Sequence, residues 1–255
     1  MRSFTEHALS TSEWVQDDSV FVAQRAHPES AVQSLALVLG VKKEKNMLLE
    51  QAVAEAAAQI EGTHAARERA LTASRALTRQ CANTIRACHR AAFTEAAGLL
   101  ADAATTASSL RAGLADHPAL LYAGYTQDAL KEYAEAALVT AFLRGDTPPG
   151  PTALNIEPAA YLNGLAEAAS ELRRAILDGL RHGEVARGEA LLVIIDDVYS
   201  LLVTVDYPDA ITGGLRRSTD ALRAVLERTR GDMTAAIRQE QLVAALDRAE
   251  RRHGP

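Results

Sequence analysis

The stretch LKEYAEAALVTAFL, residues 130–143, decides how this chain is read. Its run of Ala, Leu and Val describes a helix turned toward an interior, because Ala and Leu have high helix propensity and leave little to face water. Glu132 and Glu135 interrupt it, three residues apart and so on one side. A second stretch, YLNGLAEAASELRRAI at 161–176, carries Glu167 and Glu171 four residues apart, again within apolar text. If the two faces meet, four carboxylates converge. Uncompensated buried charge of one sign is costly, and a divalent cation relieves it. An all-oxygen ligand set suits Mg²⁺, with Mn²⁺ as the alternative, rather than Zn²⁺. The competing reading keeps these glutamates on solvated faces, paired with Lys131, Arg173 and Arg174.

The chain has 255 residues, 48% of them apolar but only 4% aromatic. Such Ala-rich, aromatic-poor text favours closely packed helices over a sandwich or barrel. The net charge of −6 excludes a uniformly basic nucleic-acid binder but leaves room for a local basic surface. The two cysteines, Cys81 and Cys88, share a helix face and cannot bridge within a straight helix, so reduced thiols and a cytoplasmic setting are expected. The longest apolar runs, SLALVLGV (34–41) and ALLVII (190–195), are too short for a bilayer span, and the first lacks the flanks of a signal peptide. No membrane partner is expected.

Residues 1–46 mix Ser, Thr, Asp and His without a sustained helical period and read as an appended, weakly ordered segment. The folded domain is expected over 47–255. Helices are expected at about 47–88, with an irregularity at EGTH (61–64), then 91–114, 119–144, 158–180, 185–203 and 214–231, followed by a short polar tail. RGDTPPGP (144–151) and DYPDAITGG (206–214) read as breakers. The fold class is all-α, a bundle of long antiparallel helices. A di-iron bundle would need paired Glu-x-x-His motifs. The formal matches, Glu61–His64 and Glu250–His253, do not pair with the central glutamates.

Four segments together resemble the translin superfamily, especially translin-associated factor X and its archaeal relatives. LKEYAEA (130–136) resembles that branch's LQEYVEA motif. YLNGLAEAASELRRAI resembles its YLLGVADLTGELMR segment. LRRSTDALRAVLERTRGD (215–232) is similar to the C-terminal helix of both branches, and ARERALTASRALTRQCANTIRACHR (66–90) to their long first helix. The likeness runs from about Met47 to Glu240. It implies a translin-like α-helical superhelix of about six to seven long helices, assembling as a homo-oligomer, typically an octamer around a cavity.

In the factor X branch, inner-surface carboxylates carry Mg²⁺-dependent endoribonuclease activity, and by position Glu132, Glu135, Glu167 and Glu171 fall on these metal-binding and catalytic groups. Single-stranded RNA, or single-stranded DNA, is the implied partner. Animal members carry His and Arg associated with nucleic-acid binding just before the EYxEA motif. Here that text is HPALLYAGYTQDAL (117–130), which offers Tyr122 and Tyr125, as base-stacking platforms or as core residues. Arg173, Arg174, Arg216 and Arg217 are the candidate backbone contacts, the last two equally readable as a solvated helix start. The expected function is therefore a metal-dependent endoribonuclease, with Glu135 as the group that orients or deprotonates water. The alternatives are a non-catalytic single-strand binder of the translin type and a scaffold or di-metal redox protein.

Overall fold

The computed structural model describes residues 28–253. Among them are α1 (Pro28–His89), α2 (Phe93–Ala112), α3 (Pro118–Leu121), α4 (Gly124–Arg144), α5 (Pro151–Leu154), α6 (Pro158–Leu180), α7 (Val185–Leu202), α8 (Asp209–Thr212) and α9 (Leu215–His253). No strand occurs among the described residues, so the all-α expectation holds. The chain divides into two units between Ala58 and Gln59. In the first, the side chains from Leu37 onward are exposed, including Leu48, Leu49 and Val53.

The second unit holds the core. Here α4 packs on α6 and α2, while α6 and α7 both pack on each other and on α9. The text around 130–143 is buried as expected: Leu130, Leu138 and Val139 are fully enclosed, as are Leu172 and Ile176 on α6. Each such side chain contributes roughly 1.5–3 kcal/mol relative to exposure. Two small residues set the helix spacing. A Cβ on Gly188 of α7 would meet Met233 Sδ of α9 at 2.9 Å, and one on Gly164 of α6 would meet the Lys131 carbonyl oxygen of α4 at 2.7 Å. Polar ties join further helices of this core. Arg173 of α6 pairs with Asp232 of α9 at 2.7 Å, and Arg111 of α2 pairs with Glu157 before α6 at 2.6 Å.

Several helix boundaries differ from the sequence expectation. α1 begins at Pro28 rather than near Met47, so residues 28–46 are helical; residues 1–27 of the expected weakly ordered segment lie outside the described residues. Pro28 is acceptable in a first turn, and the Ala and Leu that follow favour helix. EGTH (61–64) does not interrupt α1; Gly62 is exposed there and a Cβ on it would meet nothing. The expected polar tail is helix through His253. The expected helix 119–144 is two, α3 and α4, separated at Tyr122–Ala123. One-turn helix α5 starts at the last residue of the first breaker, just beyond the extended Gly150, and α8 forms within the second.

The boundaries that place the glutamates match closely. α6 spans Pro158–Leu180, opened by a proline in its first turn. α4 ends where Gly145 adopts a left-handed φ of 76°. There Asp146 N–H donates to Ala141 O and Gly145 N–H to Phe142 O, a Schellman closure that needs a residue tolerating positive φ.

Candidate metal centre

Glu132 and Glu135 lie on the face of α4 that meets α6, and Glu167 comes from α6 one turn beyond Gly164. Because Gly164 has no side chain, the α6 backbone runs against Lys131, Ala134 and Glu135, and the carboxylates of the two helices are drawn together. One oxygen from each of Glu132, Glu135 and Glu167 lies within 4.8 Å of the other two. All three side chains are half-buried. Glu171, the fourth expected carboxylate, does not belong to this trio. Its Oε1 accepts a hydrogen bond from His89 at the end of α1, Nε2 to Oε1 2.7 Å, and Arg174 stands 3.9 Å away.

The electrostatics follow from this crowding. Burial pushes the Glu135 carboxyl up to about 8 from its ordinary 4.5, and the negative charges of Glu132, Glu167 and Glu171 add to the rise. Glu132 shifts upward for the same first reason, burial, with Lys131 opposing and Glu167 reinforcing. Lys131 partly neutralises the group: its Nζ donates to Glu167 Oε1 at 2.7 Å and lies 3.8 Å from Glu132. Burial alone would lower the Lys131 ammonium, but the hydrogen bond and charge of Glu167 outweigh it and raise it. Cys81 of α1 adjoins the cluster. Its thiol is pushed up to about 12, chiefly by burial and then by Glu132 and Glu135, so it is held protonated and inert. Both cysteines are free and buried.

The donor set fits a hard divalent cation. Three carboxylates at mutual ligand distance, two of them destabilised as anions, gain from a positive charge between them, and oxygen ligands select Mg²⁺ or Mn²⁺ over Zn²⁺. Beside the trio runs an open groove of about 820 Å³, lined by Tyr122, Gln127, Lys131, Glu167, Ile211 and Arg217. Tyr122 is 65% exposed.

The other expected binding residues scatter. Tyr125 packs against the α1–α2–α4 core, with its hydroxyl buried and without a partner. Arg173 is engaged by Asp232 and donates to Thr229 Oγ1, which makes it a tie between α6 and α9. Arg174 is exposed beside Glu171. Arg216 is exposed on a different groove, with Asp206, Asp209 and Asp220. Glu61 and His64 are exposed and stand outside the glutamate cluster. His89 and Gly164 were not singled out in the sequence; a histidine ending a helix and a glycine inside one carry no motif, and their roles emerge only from the packing.

No family model matches the chain. A solved structure of AfC3PO bound to duplex RNA superposes with a TM-score of 0.67 at 30% identity, covering 72% of this chain and 95% of that one. The chain belongs to the translin superfamily. An uncharacterized protein of Methanocaldococcus jannaschii is a further relative of this superfamily member, 29% identical over 189 residues, or 72% of this chain and 82% of the relative. Apo-NeC3PO shares the fold at a TM-score of 0.65 and 16% identity, covering 70% of this chain and 93% of its own. The all-α translin-like fold expected for the chain is thus the one it has.

Proposed function

We propose that the protein is a Mg²⁺-dependent endoribonuclease that cleaves single-stranded RNA inside a homo-oligomeric, octameric shell in the cytoplasm. The observation that carries the proposal is the convergence of Glu132, Glu135 and Glu167 within 4.8 Å. A protein that only bound a polyanion would gain nothing from aiming three carboxylates at it. The likeness to AfC3PO, solved with duplex RNA, supports RNA as the substrate class. Exposed apolar side chains on α1 (Leu48, Leu49, Val53) and on α9 (Leu242, Val243, Leu246) support self-association. Among the described residues no helix is long and apolar enough to cross a membrane.

Glu132, Glu135 and Glu167 would hold the cation, with Glu171 beside them. A divalent cation bound there supplies a lowered pKa for water and positive charge against the phosphate. Glu135, one of the three converging carboxylates, would orient that water and take its proton. Lys131, poised on Glu167, is placed to contact a phosphate oxygen. In the adjoining groove Tyr122 offers a face on which a base can stack and Arg217 a cation for the next phosphate. Arg174 lines the approach beside Glu171.

A second reading, a non-catalytic binder of single-stranded RNA or DNA, is favoured by one observation. Lys131 already places a positive charge 2.7 Å from Glu167, which partly satisfies the cluster without a metal. Cleavage of end-labelled single-stranded and duplex RNA by the purified protein in Mg²⁺, beside EDTA and Glu135→Ala controls, separates the two. The nuclease reading expects cleavage abolished in both controls. RNA retained but intact in every lane would establish the binder.

A further inference from the structure

Glu171 stands outside the trio, and what holds it there is unusual. His89, the last residue of α1, reaches it with Nε2 2.7 Å from Oε1, across 82 positions of sequence. The histidine side chain is only 4% exposed, whereas that of Glu171 is 30% exposed. The other ring nitrogen, Nδ1, is buried and has no hydrogen-bond partner. A carboxylate oxygen accepts, so the N–H of this contact is the one on Nε2, and His89 spends it on Glu171. Among the described residues no hydrogen bond reaches Oε2 of Glu171, and its charge is felt by Glu135.

We propose that His89 is a positioning residue for the metal centre: it clamps one oxygen of Glu171 from the end of α1 and leaves the other presented beside Glu132, Glu135 and Glu167. The inference rests on the reading of those three glutamates as a divalent-cation site. A buried, rigid donor suits this task better than a solvated one. The ring cannot turn without burying its carbon edge against the carboxylate, so the Glu171 rotamer is fixed before any cation arrives. Partners that orient ligating groups in this way are commonly worth 10- to 100-fold in metal affinity or activity. Arg174, 58% exposed and 3.9 Å from the same oxygen, cannot substitute for such a fixed contact.

The test measures Mn²⁺ affinity without RNA, by electron paramagnetic resonance, and RNA cleavage with kcat and KM separated. It uses the wild type, His89→Ala, His89→Gln, Glu171→Ala and the double variant His89→Ala/Glu171→Ala. His89→Ala is expected to weaken Mn²⁺ binding and lower kcat by about 10-fold or more, with KM for RNA nearly unchanged. His89→Gln, whose amide N–H can reach the same oxygen, is expected to restore most of both. The double variant should lose no more than Glu171→Ala alone, since His89 acts only through that carboxylate. Wild-type Mn²⁺ affinity in His89→Ala would overturn the proposal, as would additive losses in the double variant. Loss of helicity or of the folded baseline in His89→Ala, unrelieved by His89→Gln, would make His89 a packing residue and overturn it too. A wild type that binds no Mn²⁺ would instead bring down the cation site itself, and this inference with it.

Discussion

Gly164 of α6 and Lys131 of α4 touch through backbone: a Cβ at 164 would lie 2.7 Å from the Lys131 carbonyl oxygen and 2.9 Å from Ala134 Cβ. Neither obstacle is the flexible end of a side chain, so relief requires the helices to part. Gly164→Ala is therefore expected to destabilise the fold by about 1–3 kcal/mol, as overpacking does. It should also weaken divalent-cation binding, because the same spacing brings Glu167 to Glu132 and Glu135. Denaturant unfolding and Mn²⁺ titration of the variant check both effects. The methyl group is added on a helix, where alanine is intrinsically favoured over glycine, so any loss of stability comes from packing.

The Glu135 carboxyl, pushed up to about 8 by burial and neighbouring charge, makes stability depend on pH in a definite direction. The folded protein binds this proton more tightly than the unfolded chain does. That contribution is complete below the ordinary value of 4.5 and is lost as pH rises through about 8. Glu132 shifts the same way. In chelator, the melting temperature is expected to fall as pH rises from about 5 to about 9. Glu135→Gln should flatten this slope, and thermal unfolding by circular dichroism across that range measures it.

Divalent cation should reverse the trend. Because the carboxylates must be ionised to act as ligands, added Mg²⁺ or Mn²⁺ is expected to raise the melting temperature more at about pH 8 than at about pH 5. At a concentration of about 100 times Kd, binding to the folded state alone is worth roughly 2.7 kcal/mol. Glu132→Gln and Glu135→Gln should each remove most of the shift.

The arginines divide by role. Arg173, held by Asp232 and Thr229, is expected on truncation to alanine to cost about 1–2 kcal/mol of stability with RNA affinity little changed. Tyr122→Ala and Arg217→Ala remove exposed groups of the groove and should leave the melting temperature within a degree or two; Tyr122→Ala should weaken RNA binding by roughly 1–3 kcal/mol for the lost stacking contact, and Arg217→Ala should weaken it while reducing its salt dependence. Parallel thermal unfolding and filter-binding measurements distinguish the classes.

Much of this was legible in the sequence, for physical reasons. The all-α class followed from Ala-rich text with few aromatics, and the bounds of α6 from Pro158 and the RHGE break. The i, i+3 spacing of Glu132 and Glu135 put both on one face, and apolar flanks pointed that face inward. Convergence with Glu167 depended on which helices pack together, and that was set by Gly164, a residue whose effect is invisible until the neighbouring backbone is in place. The surroundings of Glu171 were not legible either, because its hydrogen-bond partner is His89, distant in sequence and unmarked by any motif. The start of α1 at Pro28 was not legible because exposed residues, such as those from Leu37 to Asn46, show little hydrophobic period even where their backbone is helical. Tyr125 and Arg173 belonged to patterns compatible with binding or packing, and the structure shows the packing contacts of both.

The proposed site requires Glu132, Glu135 and Glu167 together to hold a divalent cation. Anomalous diffraction from crystals soaked in Mn²⁺ tests it most directly. An anomalous peak bounded by these three carboxylates is expected, with Lys131 withdrawn from Glu167, and no such peak in Glu135→Gln crystals. Crystals that show no peak there at saturating Mn²⁺, with Lys131 still bonded to Glu167, would contradict it.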